Sequence, residues 1–277
     1  MSIFYQPHKL ESYFTRGEVE MIDFSGKVAL ITGGGGEIGR AAAIALSKAG
    51  AKVAVVDISR ELGEETVHAI KQQDGQAKYI YADVSKSEDV KNYVNKTVTE
   101  FGHIDVFINN AAWEGVVKPI VEYPDDVFDK LIGINVRGVF LGLKHVLPIM
   151  YAQNSGSIVN ISSIAGHIGS PGLVAYTASK HAVLGMTKTA ALEGAKLGIR
   201  VNAVCPGAVN TRMLHSLAKA KGPEAYQATM DKYETDSPDG RLAEPEEVAN
   251  LVLYLSSELA SHISGQSIRI DGGRVMS

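Results

Sequence analysis

The chain predicts an α/β fold: one domain built on a doubly wound parallel sheet of about seven strands, with helices on both faces. Short runs rich in β-branched and aliphatic residues recur seven times between residues 27 and 270, and stretches of helical period separate most of them. Alternation of this kind sets parallel strands side by side and covers both sheet faces with helices. With 277 residues, 45% of them hydrophobic, the chain supplies one sizeable core and needs no second domain.

In chain order the strands read as KVALIT (27–32), KVAVVD (52–57), AKYIYA (77–82), IDVFIN (104–109), GSIVNIS (156–162), GIRVNAVC (198–205) and QSIRI (266–270). Helical period fills RAAAIALSKAG, SEDVKNYVNKTVTEF and HAVLGMTKTAALEGAK between them. Residues 1–23 have no clear period and form an N-terminal extension, either an arm packed on a neighbouring subunit or a disordered lead. The main domain is 24–277. Its long insert at about 208–240 is charged, carries glycine and proline at its ends, and is expected to fold into short helices that close over a ligand.

The first strand runs through Thr32 into Gly33-Gly34-Gly35-Gly36-Glu37-Ile38-Gly39 and then a helix. Glycines let a backbone turn sharply and approach a pyrophosphate, whose charge the helix N-terminus stabilises. Gly33, Gly36, Glu37, Ile38 and Gly39 are therefore candidate contacts of a dinucleotide. Asp57, followed by Ile58, ends the second strand. A carboxylate there accepts hydrogen bonds from the adenosine ribose and repels a 2′-phosphate, which favours NAD over NADP. Asp57 also suits a turn or a helix N-cap.

A second constellation lies in SIAGHIGSPGLVAYTASK, residues 163–180. Tyr176 and Lys180 are one helical turn apart on one face, and Ser163 ends the buried strand before them. A cation about 4 Å from a phenol, at an effective dielectric of about 20, is worth roughly 4 kcal/mol. Such a field draws a phenol of pKa ~10 toward neutrality, where acid/base catalysis works best. The spacing alone is common: Tyr5 and Lys9 repeat it around Pro7 with no other sign of chemistry. Ser163 is not read as a nucleophile, because Ile161-Ser162-Ser163-Ile164 lacks the glycine-flanked elbow of hydrolases.

Further motifs support the second copy: Asp83-Val84 after the third strand, Asn109-Asn110-Ala111-Ala112 after the fourth, Asn135 in an apolar helix, and Pro206-Gly207 with Thr211 after the sixth. From about Phe24 to the C-terminus the chain resembles the short-chain dehydrogenase/reductase family. It departs from the family pattern at Glu37, where a glycine is usual, and at Ala112. The resemblance implies a Rossmann-type fold and an NAD(H)-dependent oxidoreductase that interconverts a secondary alcohol and a ketone. Asn135, Ser163, Tyr176 and Lys180 would be the catalytic set, with Tyr176, partly ionised, as general acid/base and Ser163 holding the substrate oxygen. Lys180 would lower the tyrosine pKa and bind the nicotinamide ribose; Asn135 would hold a water linking Lys180 to solvent. Asp83 and Val84 would flank the adenine, and Asn110 the nicotinamide ribose, while Asn109 bonds backbone. Pro206, Gly207, Val209 and Thr211 would wrap the carboxamide and pyrophosphate. A homotetramer or homodimer is expected, with the helix at YTASKHAVLGMTKTAALEGA buried against another subunit.

Substrate residues are expected just after Asn110, between Ser163 and Tyr176, and in the insert. Trp113, Glu114, His167 and Met213 are the candidates, although loop packing suits Trp113, solvated surface Glu114 and an exposed loop His167. The substrate expected is a secondary alcohol or ketone of modest size, cyclic or polyhydroxylated. Net charge of −4 gives no reason to expect nucleic acid or a membrane as partner. The single cysteine, Cys205, fits a reducing compartment, and no Cys/His cluster has the spacing of a metal site. No apolar run is judged long enough to span a membrane and no signal segment is apparent, so a cytoplasmic location is expected. Two other readings stay open: an NADP-dependent reductase of 3-oxoacyl groups on a carrier protein, and a non-enzymatic NAD-binding sensor.

Overall fold

The structure, a computed structural model, describes residues 22–275; the N-terminal extension lies outside them except for its last two residues. Seven strands form one sheet: β1 (Val28–Thr32), β2 (Lys52–Asp57), β3 (Ala77–Tyr81), β4 (Val106–Asn109), β5 (Gly156–Ile161), β6 (Ile199–Pro206) and β7 (Ser267–Ile270). All neighbours are parallel, in the order β3-β2-β1-β4-β5-β6-β7. Every strand expected from the sequence is present. Because β1 lies between β2 and β4, the chain reverses its winding there, and Thr32 sits level with Asn109 at the mouth of the crevice.

Nine α-helices occur among the described residues: α1 (Glu37–Lys48), α2 (Arg60–Lys71), α3 (Ser87–Phe101), α4 (Asp125–Ile132), α5 (Gly138–Gln153), α6 (Val174–Gly194), α7 (Arg212–Lys219), α8 (Pro223–Thr235) and α9 (Pro245–Ser256). The strands' two-residue period divides the core into two layers. Ala29, Ile31, Val53, Val55 and Ile108 pack with Leu46 of α1 and with Val248, Val252 and Leu255 of α9. Leu30, Val56, Phe107 and Ile158 face the other way, onto Tyr93 of α3, Val146 and Met150 of α5, and Val183 of α6. Each such side chain removed from water contributes about 1.5–3 kcal/mol.

Between α4 and α5 lies a five-residue π-turn, Gly133–Arg137. Together the three pieces make one helix, Asp125–Gln153, whose most apolar 18-residue stretch has mean hydropathy 1.2, long and apolar enough by composition to cross a membrane. This corrects the expectation that no run is long enough: between Leu131 and Pro148 only Arg137 and Lys144 interrupt the apolar residues with charge. Here the helix serves the core: Leu131, Val139, Leu143, Val146, Leu147 and Met150 are buried in the fold.

Candidate active site

Ser163 leaves the end of β5 in extended conformation and caps a 3-10 turn, Ile164–Gly166, its Oγ accepting from the Ala165 amide at 3.1 Å. The same hydroxyl lies 3.5 Å from the Pro206 carbonyl at the end of β6. Two neighbouring strands thus fix the serine from both sides. Tyr176 and Lys180 rise from the first turns of α6, with the ammonium 5.4 Å from the phenol ring centroid. Lys180 is buried, and its Nζ donates to the Ile161 carbonyl at 2.9 Å.

These distances change the electrostatic expectation. Burial pushes the Tyr176 phenol up to about 12, opposed by a hydrogen bond from Ser163 and assisted by the Glu114 carboxylate. Burial likewise pushes the Lys180 ammonium down to about 8. The partly ionised tyrosine expected from an ammonium at contact distance is therefore corrected. Both groups lose water, and desolvation outweighs an attraction spread over the longer separation. At neutral pH the protein's own groups hold a protonated phenol beside a charged lysine.

Lys180 has a stability consequence. Its folded value of about 8 lies below the ordinary 10.5, so between these pH values an unfolded chain binds a proton that the folded protein does not. The penalty of burying the charge is full below pH 8 and fades as pH rises. The unfolding free energy of wild type minus that of Lys180→Met is expected to rise by about 3 kcal/mol across this window. Urea melts at a series of pH values measure it, and a flat difference would refute the buried charge.

Asn135 sits inside the π-turn, where the extra residue turns its side chain inward. Its Oδ1 accepts from the Trp113 amide at 2.8 Å; its Nδ2 donates to the Trp113 carbonyl at 2.9 Å and to Ser179 Oγ at 3.2 Å. The asparagine clamps the loop after β4 to α6, next to Lys180. Ser179, which the sequence did not single out, is the third partner of this clamp.

On the other side of the crevice, neighbours leave no room for side chains at Gly33, Gly34, Gly35 and Gly39 of the glycine turn. Gly33 has φ +62°, and a Cβ there would lie 2.8 Å from Ala111 Cα; a Cβ on Gly39 would strike the Gly33 carbonyl. Asn110 Nδ2 donates to the carbonyls of Thr32 and Gly33 at 3.1 and 3.0 Å. Asn109 bonds the Val139 carbonyl, the backbone duty expected of it. Helix α1 starts at an N-cap glycine, Gly36, with no side-chain cap, so its leading amides point at whatever lies beyond the turn. Glu37 turns aside: its Oε1 accepts from the Arg212 amide at the start of α7, at 2.8 Å.

Asp57 is fixed by two amides, Gly35 N to Oδ2 at 2.9 Å and Ser59 N to Oδ1 at 2.8 Å. Each oxygen keeps a further lone pair. Ile58 beside it is exposed. Asp83 shapes its own turn, its Oδ1 accepting from the Ser85 amide and hydroxyl, and Val84 packs on Gly138 of the long helix. Glycines that a Cβ would fill, uncapped helix amides and an oriented carboxylate fit a dinucleotide.

A cavity of about 410 Å³ opens beyond the ends of β4, β5 and β6. Ser163, Tyr176 and Lys180 line it together with Ile38 and Asn110. Pro206, Gly207, Val209, Thr211 and Met213 line it too. The insert supplies two helices, α7 and α8, as a lid carrying Leu214, Leu217 and Tyr233 into the cavity. Of the four substrate candidates only Met213 is there. Trp113 is held by Asn135 and lies under Lys130, whose Nζ is 4.6 Å from the ring centroid. Glu114 is neither solvated nor in the cavity lining. It is 4% exposed, with Oε1 3.6 Å from Arg212 and Oε2 without a partner. His167 has a buried, unpartnered Nε2 and its basicity is lowered by burial, then by Arg269 and other cations nearby. The sequence pointed to the insert but not to its Leu214, Leu217 and Tyr233, nor to Arg274 after β7, because nothing local marks them.

Comparison with known proteins agrees with this arrangement. Residues 35–274 match the family described as Enoyl-(Acyl carrier protein) reductase. Levodione reductase of Leifsonia aquatica is 40% identical over 91% of this chain and 95% of its own. 2,5-dichloro-2,5-cyclohexadiene-1,4-diol dehydrogenase of Sphingobium indicum is 41% identical over 91% and 98%. The crystal structure of NAD+-bound xylitol dehydrogenase superposes with a TM-score of 0.86 at 35% identity, covering 90% of this chain and 99% of that one. The chain belongs to the short-chain dehydrogenase/reductase family. It is an oxidoreductase of the kind that acts on alcohols and ketones.

Proposed function

We propose that the protein is an NAD(H)-dependent dehydrogenase interconverting a secondary alcohol of modest size and its ketone, with Tyr176 as the proton-transferring residue. The observation that carries this reading is the meeting of Ser163, Tyr176 and Lys180 in one cavity, beside a turn shaped for a dinucleotide. A bound nicotinamide supplies the hydride in one direction and accepts it in the other. In reduction, the Ser163 hydroxyl positions the carbonyl oxygen and the protonated Tyr176 phenol donates to it. In oxidation the phenol must first lose its proton, so that direction gains as pH rises. Lys180, held by the Ile161 carbonyl, keeps positive charge under the phenol and offers its remaining donors to a ribose. Asn135 positions Lys180 through Ser179 and the loop at Trp113.

Gly33, Gly36, Gly39 and the Glu37 and Ile38 amides are proposed to cradle the pyrophosphate, with Asp57 on the adenosine ribose, Ile58, Asp83 and Val84 near the adenine, and Asn110, Pro206, Gly207, Val209 and Thr211 on the nicotinamide side. Asp57, oriented by Gly35 and Ser59, supports NAD. Absorbance at 340 nm with NAD or NADP against a panel of secondary, cyclic and polyhydroxylated alcohols tests the reading. Turnover is expected with NAD, and Asp57→Ala is expected to shrink the NAD/NADP ratio of kcat/KM by 10-fold or more. An unchanged ratio would remove Asp57 as the ribose reader. Exposed Leu192 on α6 and Phe140 on α5 support the homotetramer or homodimer.

A further inference from the structure

The cavity has a cationic wall opposed by little negative charge. Lys221 at the turn between α7 and α8, Lys232 on α8, and Arg274 beyond β7 all line the space that Ser163 and Tyr176 line. The lining includes one carboxylate, Asp236, and two of the cations share it: Lys232 Nζ is 2.9 Å from Oδ1 and Arg274 Nη2 is 2.8 Å from Oδ2. Lys221 has no ion pair among the described residues, though its charge reaches Asp236. The Lys232 hydrogen bond and the three positive charges hold the Asp236 carboxyl below its usual range against partial burial, so it stays charged and still covers only one of the three. Two positive charges remain uncompensated on one wall of a chain whose net charge is −4.

The rest of the lining differs in character. Leu214, Leu217, Met213 and Ile164 form an apolar wall, and the polar reacting groups belong to β5 and α6. A molecule that filled this space would meet a proton donor, hydrocarbon and a cluster of cations. Apolar walls with few convergent charges are how such sites select a ligand. A carboxylate has the charge and the two-oxygen shape that a guanidinium and ammonium groups receive.

We infer that the substrate is a hydroxy acid and its keto acid, the carboxylate received by Arg274, Lys232 and Lys221 while the alcohol or ketone carbon meets Ser163 and Tyr176. This rests on the oxidoreductase reading above and deepens it. Reaction balance is unchanged: two electrons and one proton pass as hydride between substrate carbon and nicotinamide, and the oxygen's proton passes through Tyr176.

The test compares 3-oxocyclohexanecarboxylate and linear oxo acids of similar size with their uncharged carboxamides, following NADH oxidation in low salt. The acids are expected to exceed the amides in kcat/KM by 10-fold or more. Lys221→Gln/Lys232→Gln, with an unchanged melting temperature, is expected to bring that ratio near unity by raising KM for the acids. Equal or better use of the amides would overturn the anion site and leave the oxidoreductase reading standing. Should both sets and the alcohol panel be silent, that reading fails instead. Calorimetric titration of the oxo acids and amides into protein with NADH then decides the anion site alone: tighter binding of the acids, lost in the double variant, upholds it, and no difference overturns it.

Discussion

Tyr176→Phe is expected to lower kcat by about 10³-fold or more while changing NAD(H) affinity less than about threefold. The substitution removes one oxygen from a ring that otherwise stays packed on α6 over Lys180. No other group in the lining is both a proton carrier and hydrogen-bonded to Ser163. The loss falls on the transition state, so kcat and kcat/KM should fall together. Single-turnover measurement of the hydride step with saturating cofactor separates this from a binding defect. Activity within tenfold of wild type would overturn the assignment. The residual rate should also lose the component of its pH profile that belongs to the phenol.

Gly39→Ala is expected to weaken dinucleotide binding by at least 100-fold. An added Cβ would strike the Gly33 carbonyl and come 2.7 Å from Asn110 Nδ2. That carbonyl and that amide are bonded to each other, so the methyl would pry apart the clamp that joins the glycine turn to the end of β4. Overpacking of this kind costs about 1–3 kcal/mol in stability. The larger effect should fall on the turn, because Gly33 already needs φ +62° and has Ala111 against it. Circular dichroism checks that the sheet survives, and calorimetry with NAD reports binding. Near-normal affinity in a folded variant would mean that the turn does not hold the cofactor.

The seven strands were legible because a strand buried on both faces must be apolar along its length, and Val28–Thr32 or Lys52–Asp57 carry that requirement in their own residues. Ser163, Tyr176 and Lys180 were legible because a strand end and a helical turn fix them locally. The ionisation of Tyr176 was not, since desolvation depends on what the whole fold places around the ring. Glu114 reads as surface by type, and only Arg212, far along the chain, gives it a partner. The cations of the cavity wall come from the insert and from beyond β7, two segments that no local period links. The π-turn at Gly133–Arg137 is equally silent, because GINVR carries no residue that demands it.

That turn makes the long helix a spacer whose residue count answers to chemistry. A regular α-helix advances about 100° per residue, and a π-turn absorbs one residue more than an α-turn. Loss of any one residue from 133–137 would heal the turn and could leave Leu131 on one side and Val139 on the other still packed. Asn135 or its replacement would then point elsewhere, and the grip on Trp113 and Ser179 would open. The helix can therefore drift in sequence more freely than it can drift in length.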